Sequence, residues 1–390
     1  LKTGLFTYVL YLDIKSQFPY AIMLCNISPE TIDNFGEIML DLHLRFKNNK
    51  KGIIPQIVEQ EIKRRDEVKK QMFEELELNG KTEKYYSLNK IQYALKILPN
   101  SFYGIFNTEF YCLKDRRLTE AITTFSRKSI NWSKNIVEKN GYDVIAIDTD
   151  GMFINSKSTT KEETIILGKQ IKSLINESYK DFLKELGVNS GELQIKFEGI
   201  FKSFFIGSKK HYFGNLIYQE GQEVDEMIIK GYEVVRVDTS KVCRNMMNDV
   251  FKMILEGKKK DEINVYINNL KQELHSGKYT IYDIGIPKPY KEDLKVKTAQ
   301  YKAVQFSNNY LNTTFKHSDR VLYIYGKIQG LPITEAFAFK DNKFFTALFK
   351  DKKIIIDWKK MMPVLIDNKI ERLYEAIGWE GKKSKSLMEY

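Results

Sequence analysis

The chain has 390 residues, 62 Lys and Arg against 51 Asp and Glu, a formal net charge of +11, and is 43% hydrophobic and 29% charged. That balance excludes a disordered chain, supplies apolar material for two or three structural units, and points to a polyanionic partner. No run approaches the roughly 18 apolar residues of a spanning helix, and the opening LKTGLFTYVLYLD meets an acid where a secretory leader would have its cleavage site, so neither membrane insertion nor secretion is expected.

Residues 5 to 13 (LFTYVLYLD) are β-branched and aromatic and read as a buried strand that delivers Asp13 at its end. The segment SQFPYAIML then turns away. Asn26-Ile27-Ser28-Pro29-Glu30 reads as a turn or helix start, with Ser28 as the cap ahead of Pro29. From Ile54 to Leu78 the pattern is helical and heavily charged, and Asn79-Gly80 stops it. The stretch from Lys81 to Asn100 has the same spacing, so the two predict an antiparallel helical hairpin projecting from a body; a solvated helical pair is the plainer reading. Residues 116 to 139 predict a packed amphipathic helix. VIAIDTDGMFIN then reads as strand, tight turn and strand, with Asp148 and Asp150 at the turn. A helix is expected over roughly 160–185, and ELQIKFEGIFKSFFIGSKKHYFGNLIY predicts two strands about a basic turn. Beyond Lys230 a separate unit is expected: helices over about 240–275, short strands such as VLYIYGKI, a final helix around KKMMPVLIDNKIERLYEAIGW, and a mobile tail, EGKKSKSLMEY.

The three cysteines (Cys25, Cys112, Cys243) and four histidines (His43, His211, His275, His317) are scattered. They form neither a disulfide framework nor a zinc ligand set, which fits a reducing cytosol and leaves oxygens as the donors for any metal. On its own Asp-Thr-Asp-Gly is the composition of an ordinary hairpin turn. If its strand neighbours the first one, however, Asp13 and Asp150 face each other. Two such carboxylates call for a cation, and a magnesium pair about 3.5–4 Å apart would both neutralise them and serve phosphoryl transfer. A third element, Lys96 to Gly104 (KILPNSFYG), carries Lys96 and Asn100 four apart on one helix face.

In this order Asp13-Ile-Lys-Ser16-Gln17-Phe18-Pro19, Lys96 to Gly104 and Asp148-Thr149-Asp150 resemble motifs A, B and C of family B DNA polymerases. Lys209-Lys210-His211-Tyr212 resembles that family's basic KKxY element, and Lys230-Gly231-Tyr-Glu233 its next one. Asn26 to Ile32 (NISPETI) and Ala121 to Phe125 (AITTF) are similar to replicative polymerases of T-even-type bacteriophages. The resemblance spans essentially the whole chain. It implies an α+β right-hand core with an antiparallel palm sheet, a helical fingers hairpin and a mostly helical thumb: palm 1–35, fingers 36–100, palm 101–229, thumb 230–390. It implies two Mg2+ ions held by Asp13 and Asp150 with the Ile14 carbonyl, Asp148 being secondary. The amides of Ser16 and Gln17 would hold a dNTP triphosphate, the Phe18 ring would sit beneath the sugar, and Arg65, Lys69, Lys96 and Asn100 would clamp the phosphates. Tyr103 and Gly104 would lie along the new base pair. Lys209, Lys210, Tyr212, Lys230 and Gly231 would meet the primer-template DNA. Glu198 matches an acidic position near the metals, which a strand-face carboxylate explains equally.

The match also has departures. Gly151 stands where the family usually has Ser. Lys15 puts a cation beside Asp13, and its side chain is expected to point to the opposite side of the strand. Pro99 is expected to kink its helix just ahead of Asn100. Because Asp13 lies so near the start, the family's 3′–5′ exonuclease domain is expected on a separate polypeptide, as in a split phage polymerase working in the host cytoplasm. The final SLMEY invites comparison with sliding-clamp peptides. Two rival readings are carried: a non-catalytic DNA-binding or accessory subunit that keeps the fold, and an RNA polymerase or primase-like enzyme.

Overall fold

The computed structural model describes residues 1–232, 238–293, 296–340, 345–347 and 353–379. Glu233 and the SLMEY tail lie outside the described residues. The chain divides into two compact units, one of Leu1–Lys2, Phe6–Lys202 and Leu216–Asp225, the other of Thr3–Leu5, Ser203–Asn215 and Glu226–Tyr390.

The first unit opens with β1 (Gly4–Ile14), the expected aromatic strand, followed by α1 (Gln17–Leu24) where the sequence predicts only a turn away. A short hairpin, β2 (Ile38–Asp41) and β3 (Leu44–Phe46), comes next. The helical hairpin forms as predicted from α2 (Ile53–Asn79) and α3 (Glu83–Asn107), joined through Gly80. Thr82 caps α3 by accepting from the Tyr85 N–H, and α3 runs unbroken through Pro99 to Asn107. After α4 (Arg116–Lys139), strands β4 (Asp143–Asp148) and β5 (Gly151–Asn155) bracket the Asp-Thr-Asp turn, and α5 (Lys161–Glu185) follows. Strands β6 (Ile195–Ser208), β7 (His211–Gln219) and β8 (Gln222–Lys230) complete a sheet of order β4-β5-β1-β6-β7-β8, and of these strands Ser203–Ser208, His211–Asn215 and Glu226–Lys230 belong to the second unit. Charges along QEVDEMIIK conceal β8 from a hydrophobic reading.

The helical face Leu118, Ala121, Ile122, Phe125 and Ile130 of α4 is buried, as its spacing requires, in one core with Leu12, Ile14, Phe102, Phe106 and Tyr179. Burial of each such large side chain stabilises by roughly 1.5–3 kcal/mol.

Ser28 does not cap a helix of its own. Asn26 Oδ1 accepts from the Gly52 N–H at 2.8 Å, Glu30 Oε1 from Ile53 at 2.6 Å and Ser28 Oγ from Ile54 at 3.4 Å, so the turn closes the first turn of α2 from outside. Those amides have no partners within the helix, and Gly52 at its N-cap has no side chain to serve them.

The second unit holds α6 (Lys241–Leu255), α7 (Lys260–His275), α8 (Ile281–Ile284), β9 (Ile286–Pro289), α9 (Ala299–Tyr310), β10 (Arg320–Ile328), β11 (Ala336–Phe339) and β12 (Ile354–Ile356). It ends with α10 (Trp358–Met362), a π-helical turn and α11 (Asn368–Ile377). Strand β10, the expected VLYIYGKI, is flanked by β11 and pairs also with β9 and β12, so a small four-stranded sheet accompanies the helices that make up most of this unit's described elements. Its core gathers Phe213, Phe251, Ile324, Phe337 and Leu365. Among the described residues no helix is long and apolar enough to cross a membrane.

Candidate active site

Strands β1 and β5 are antiparallel neighbours with Asp13 opposite Gly151, and the Ile14 N–H donates to the Asp150 carbonyl at 3.0 Å. This register carries Asp13 and Asp150, far apart in sequence, into one cleft of about 780 Å³ in the first unit. The turn that follows places Ser16, Gln17 and Phe18 on the cleft wall, Ser16 in the left-handed region (φ 47°). Helix α2 contributes Arg65 and Lys69, and α3 contributes Lys96 and Asn100. Nine predicted site residues thus share one cavity.

Its electrostatics are those of crowded like charges. Burial, then the carboxylates of Asp150 and Glu198, push Asp13 up to about 7. Burial likewise raises Asp150, with Asp148 adding to it, and burial followed by Glu220 raises Glu198. Lys96 draws all three carboxylates the other way. Lys69 is lowered by burial and then by Lys196. Carboxylates that hold protons this tightly form a hard, all-oxygen donor set of the kind a divalent cation would relieve. In that chemistry Asp13 and Asp150 fit such an ion, although no group of three possible metal-binding side chains is gathered among the described residues.

Other predicted residues lie elsewhere. Asp148, at the end of β4 opposite Gly151, and Ile14, fully buried, do not line the cleft. Tyr103 packs its ring on Phe18 with centroids 5.0 Å apart, and Gly104, one residue on, faces open space. The Arg65 guanidinium bonds to the Gln92 side chain of α3 at 3.1 Å, and Asn100 Nδ2 to the Lys96 carbonyl at 2.6 Å.

In the second unit Lys209 and Lys210 form the exposed β6–β7 turn. Tyr212 is not part of that turn: it belongs to β7, is 6% exposed and packs on Phe204. Strand alternation explains this, since the second residue of β7 points inward. Gly231 has φ 81°, and a Cβ there would lie 2.1 Å from the Lys210 carbonyl, so the two basic elements meet backbone to backbone.

Among the cleft residues that escaped prediction, three make contacts that shape the site. The Tyr11 hydroxyl donates to Asp13 Oδ2 at 3.1 Å, and its ring stacks on Phe153 at 4.9 Å. Lys15 lines the same cleft and pairs with Asp66 of α2 at 2.8 Å. The expectation that Lys15 points to the opposite side is thereby corrected: Tyr11, Asp13 and Lys15 are spaced by two, and that spacing keeps side chains on one face. Alternation alone could have found all but Asp66.

The absence of a side chain at 151 also acquires a reason. A Cβ there would lie 2.7 Å from the Tyr11 ring, which occupies the space. Gly151→Ser is therefore expected to lower the melting temperature through an overpacking cost of about 1–3 kcal/mol. The same substitution should cost less in a Tyr11→Ala background and as much in a Tyr11→Phe background; an equal melting cost in all three would rule the explanation out.

The sequence model described as DNA polymerase family B matches residues 2–377. A DNA polymerase of Desulfurococcus sp. (strain Tok) is 30% identical over 266 residues, 65% of this chain and 31% of the relative. The DNA polymerase alpha catalytic subunit of Xenopus laevis is 29% identical over 283 residues, 70% of this chain and 18% of the relative. A DNA polymerase of Archaeoglobus fulgidus is 26% identical over 310 residues, 78% of this chain and 36% of the relative. The chain thus spans about a third or less of the first two relatives.

Proposed function

The chain belongs to DNA polymerase family B, and from that premise we propose that it carries a template-directed DNA polymerase core that adds dNTPs to a primer 3′-hydroxyl. The observation that carries the reading is the convergence, in one cleft, of Asp13 and Asp150 with the cations Arg65, Lys69 and Lys96 from two helices. Carboxylates and phosphate-binding cations side by side suit a polyanionic substrate that arrives with divalent metal.

In this reading Asp13 and Asp150 would hold Mg2+, which when bound supplies Lewis acidity for attack of the primer oxygen on the α-phosphorus and departure of pyrophosphate. The amides of Ser16 and Gln17, at the start of α1, face the phosphates, a role open to backbone donors whatever their side chains. Lys69, Lys96 and Arg65 stabilise charge on the transferring group, with Asn100 beside them. Phe18, braced by Tyr103, closes the space that a 2′-hydroxyl would take. Gly104 leaves room along the new pair. In the second unit Lys209, Lys210 and Lys230 meet backbone phosphates, with Tyr212 and Gly231 shaping the turn that presents them. Palm for residues 1–35 and 101–229, fingers for 36–100 and thumb for 230–390 are the corresponding names. The named relatives are archaeal and eukaryotic; a phage origin is a narrower proposal that rests on the segments 26–32 and 121–125.

A non-catalytic DNA-binding subunit is the second reading. Against it stands the strained pair Asp13 and Asp150, which such a protein has no use for. Primer extension on a defined template with Mg2+ and dNTPs separates the two. Extension by the chain, abolished in Asp150→Asn, is expected; DNA binding without extension under every metal condition would move the assignment to the second reading.

A further inference from the structure

The Lys15–Asp66 ion pair joins two elements of the cleft: the turn after Asp13 and the cationic helix α2. Lys15 Nζ lies 2.8 Å from Asp66 Oδ2, with 20% of the lysine side chain and 43% of the aspartate side chain exposed. The lysine ammonium also lies over the Tyr20 ring of α1, 5.8 Å from the centroid. On the other side, Asp66 belongs to a stripe. Arg65, Asp66, Lys69, Lys70 and Phe73 all line the cleft, and their spacing is that of one helix face.

This arrangement addresses a geometric difficulty. The N-terminus of α2 is held by Asn26, Ser28 and Glu30, but Asp66 stands fourteen residues beyond Gly52, roughly 21 Å along the axis at 1.5 Å per residue. Ile54, Val58 and Ile62 pack the preceding turns of α2 into the core, but a modest rotation beyond them would carry Arg65 and Lys69 away from the carboxylates. Arg65 ties the stripe to α3 through Gln92, and the Lys15–Asp66 contact ties it to the turn after Asp13. The contact also neutralises Asp66, the single acid in a stripe that must face phosphates.

Building on the polymerase reading above, we propose that Lys15 is a positioning residue: through Asp66 it pins the rotation of α2 so that Arg65 and Lys69 address the triphosphate over Asp13 and Asp150. Lys15 acts on Asp66 and not on the nucleotide. Most of the effect therefore belongs in the apparent affinity for dNTP, and little in the affinity for primer-template DNA.

The test is a double-mutant cycle in the full chain. Lys15→Met and Asp66→Asn are each expected to raise the KM for dNTP about tenfold, the scale of a small misplacement of binding groups. The double variant should be no worse than the worse single, Lys15→Arg should stay near the parent, and the primer-template Kd should not move. In parallel, hydrogen exchange of amides 60–70 should quicken equally in both single variants, a readout that needs no activity. A lysine that contacted the triphosphate directly would give a raised KM for Lys15→Met and an unchanged or lowered one for Asp66→Asn, which overturns the pin. Additive effects, or unchanged exchange in a parent that extends primers, overturn it as well. If the parent extends nothing, the polymerase reading fails on that arm, while the exchange arm still decides whether the pair holds the helix.

Discussion

Asp13→Asn is expected to make the protein more stable and inactive at once. Burial and the charges of Asp150 and Glu198 raise Asp13 from 3.8 to about 7. Because the folded value lies above the unfolded one, the folded chain keeps a proton between those limits that the unfolded chain has lost, so stability falls as pH rises through this window. Full ionisation above pH 7 costs at most roughly 4 kcal/mol, less whatever water in the open cleft screens. The neutral amide of the variant escapes that cost. Without divalent cation, the parent should melt progressively lower from pH 5 to pH 8, and the variant should be flatter and higher at pH 8. Mg2+ should raise the parent's melting temperature and leave the variant nearly unmoved, because only a state that binds the ion is stabilised by it. Incorporation should fall by about 10³-fold or more, the scale of losing a principal electrostatic stabiliser. A parent whose melting temperature responds to Mg2+ no more than the variant's would mean that these carboxylates do not hold the ion.

Phe18→Ala should admit ribonucleotides. The ring lines the cleft one residue beyond Gln17, and its contact with Tyr103, centroids 5.0 Å apart, leaves it little freedom to swing aside. Removing it opens space for one hydroxyl, and discrimination between dNTP and rNTP is expected to fall by about 10²-fold, the scale at which a site rejects a single added hydroxyl. Tyr103→Ala, which leaves the ring but removes its brace, should lower discrimination less. Single-nucleotide incorporation with matched dNTP and rNTP measures both ratios. An alanine variant as selective as the parent would falsify the role of Phe18.

Much of the site was legible because its residues sit in locally encoded elements. The aromatic run before Asp13 and the Gly after Asp150 declare strand ends, and period-2 geometry leaves few places for a carboxylate there. Lys96 and Asn100 share a helix face through their spacing alone. Misreadings arose where one side chain answers to a distant partner. Ser28 looks like a local cap and closes α2 instead, and Tyr212 looks like a surface residue of a basic turn and packs on Phe204.

Taken alone, the sequence determined the kinds of element, their order, and the pairing of acids with cations that marks phosphate chemistry, because periodicity, capping and charge act over a few residues. Only the tertiary structure decided that Tyr11 fills the space above Gly151, that Gly231 lies against Lys210, and that Lys15 reaches across to Asp66. Each of these depends on groups from separate elements meeting within a few ångströms, and that distance is set by packing, which no local pattern records.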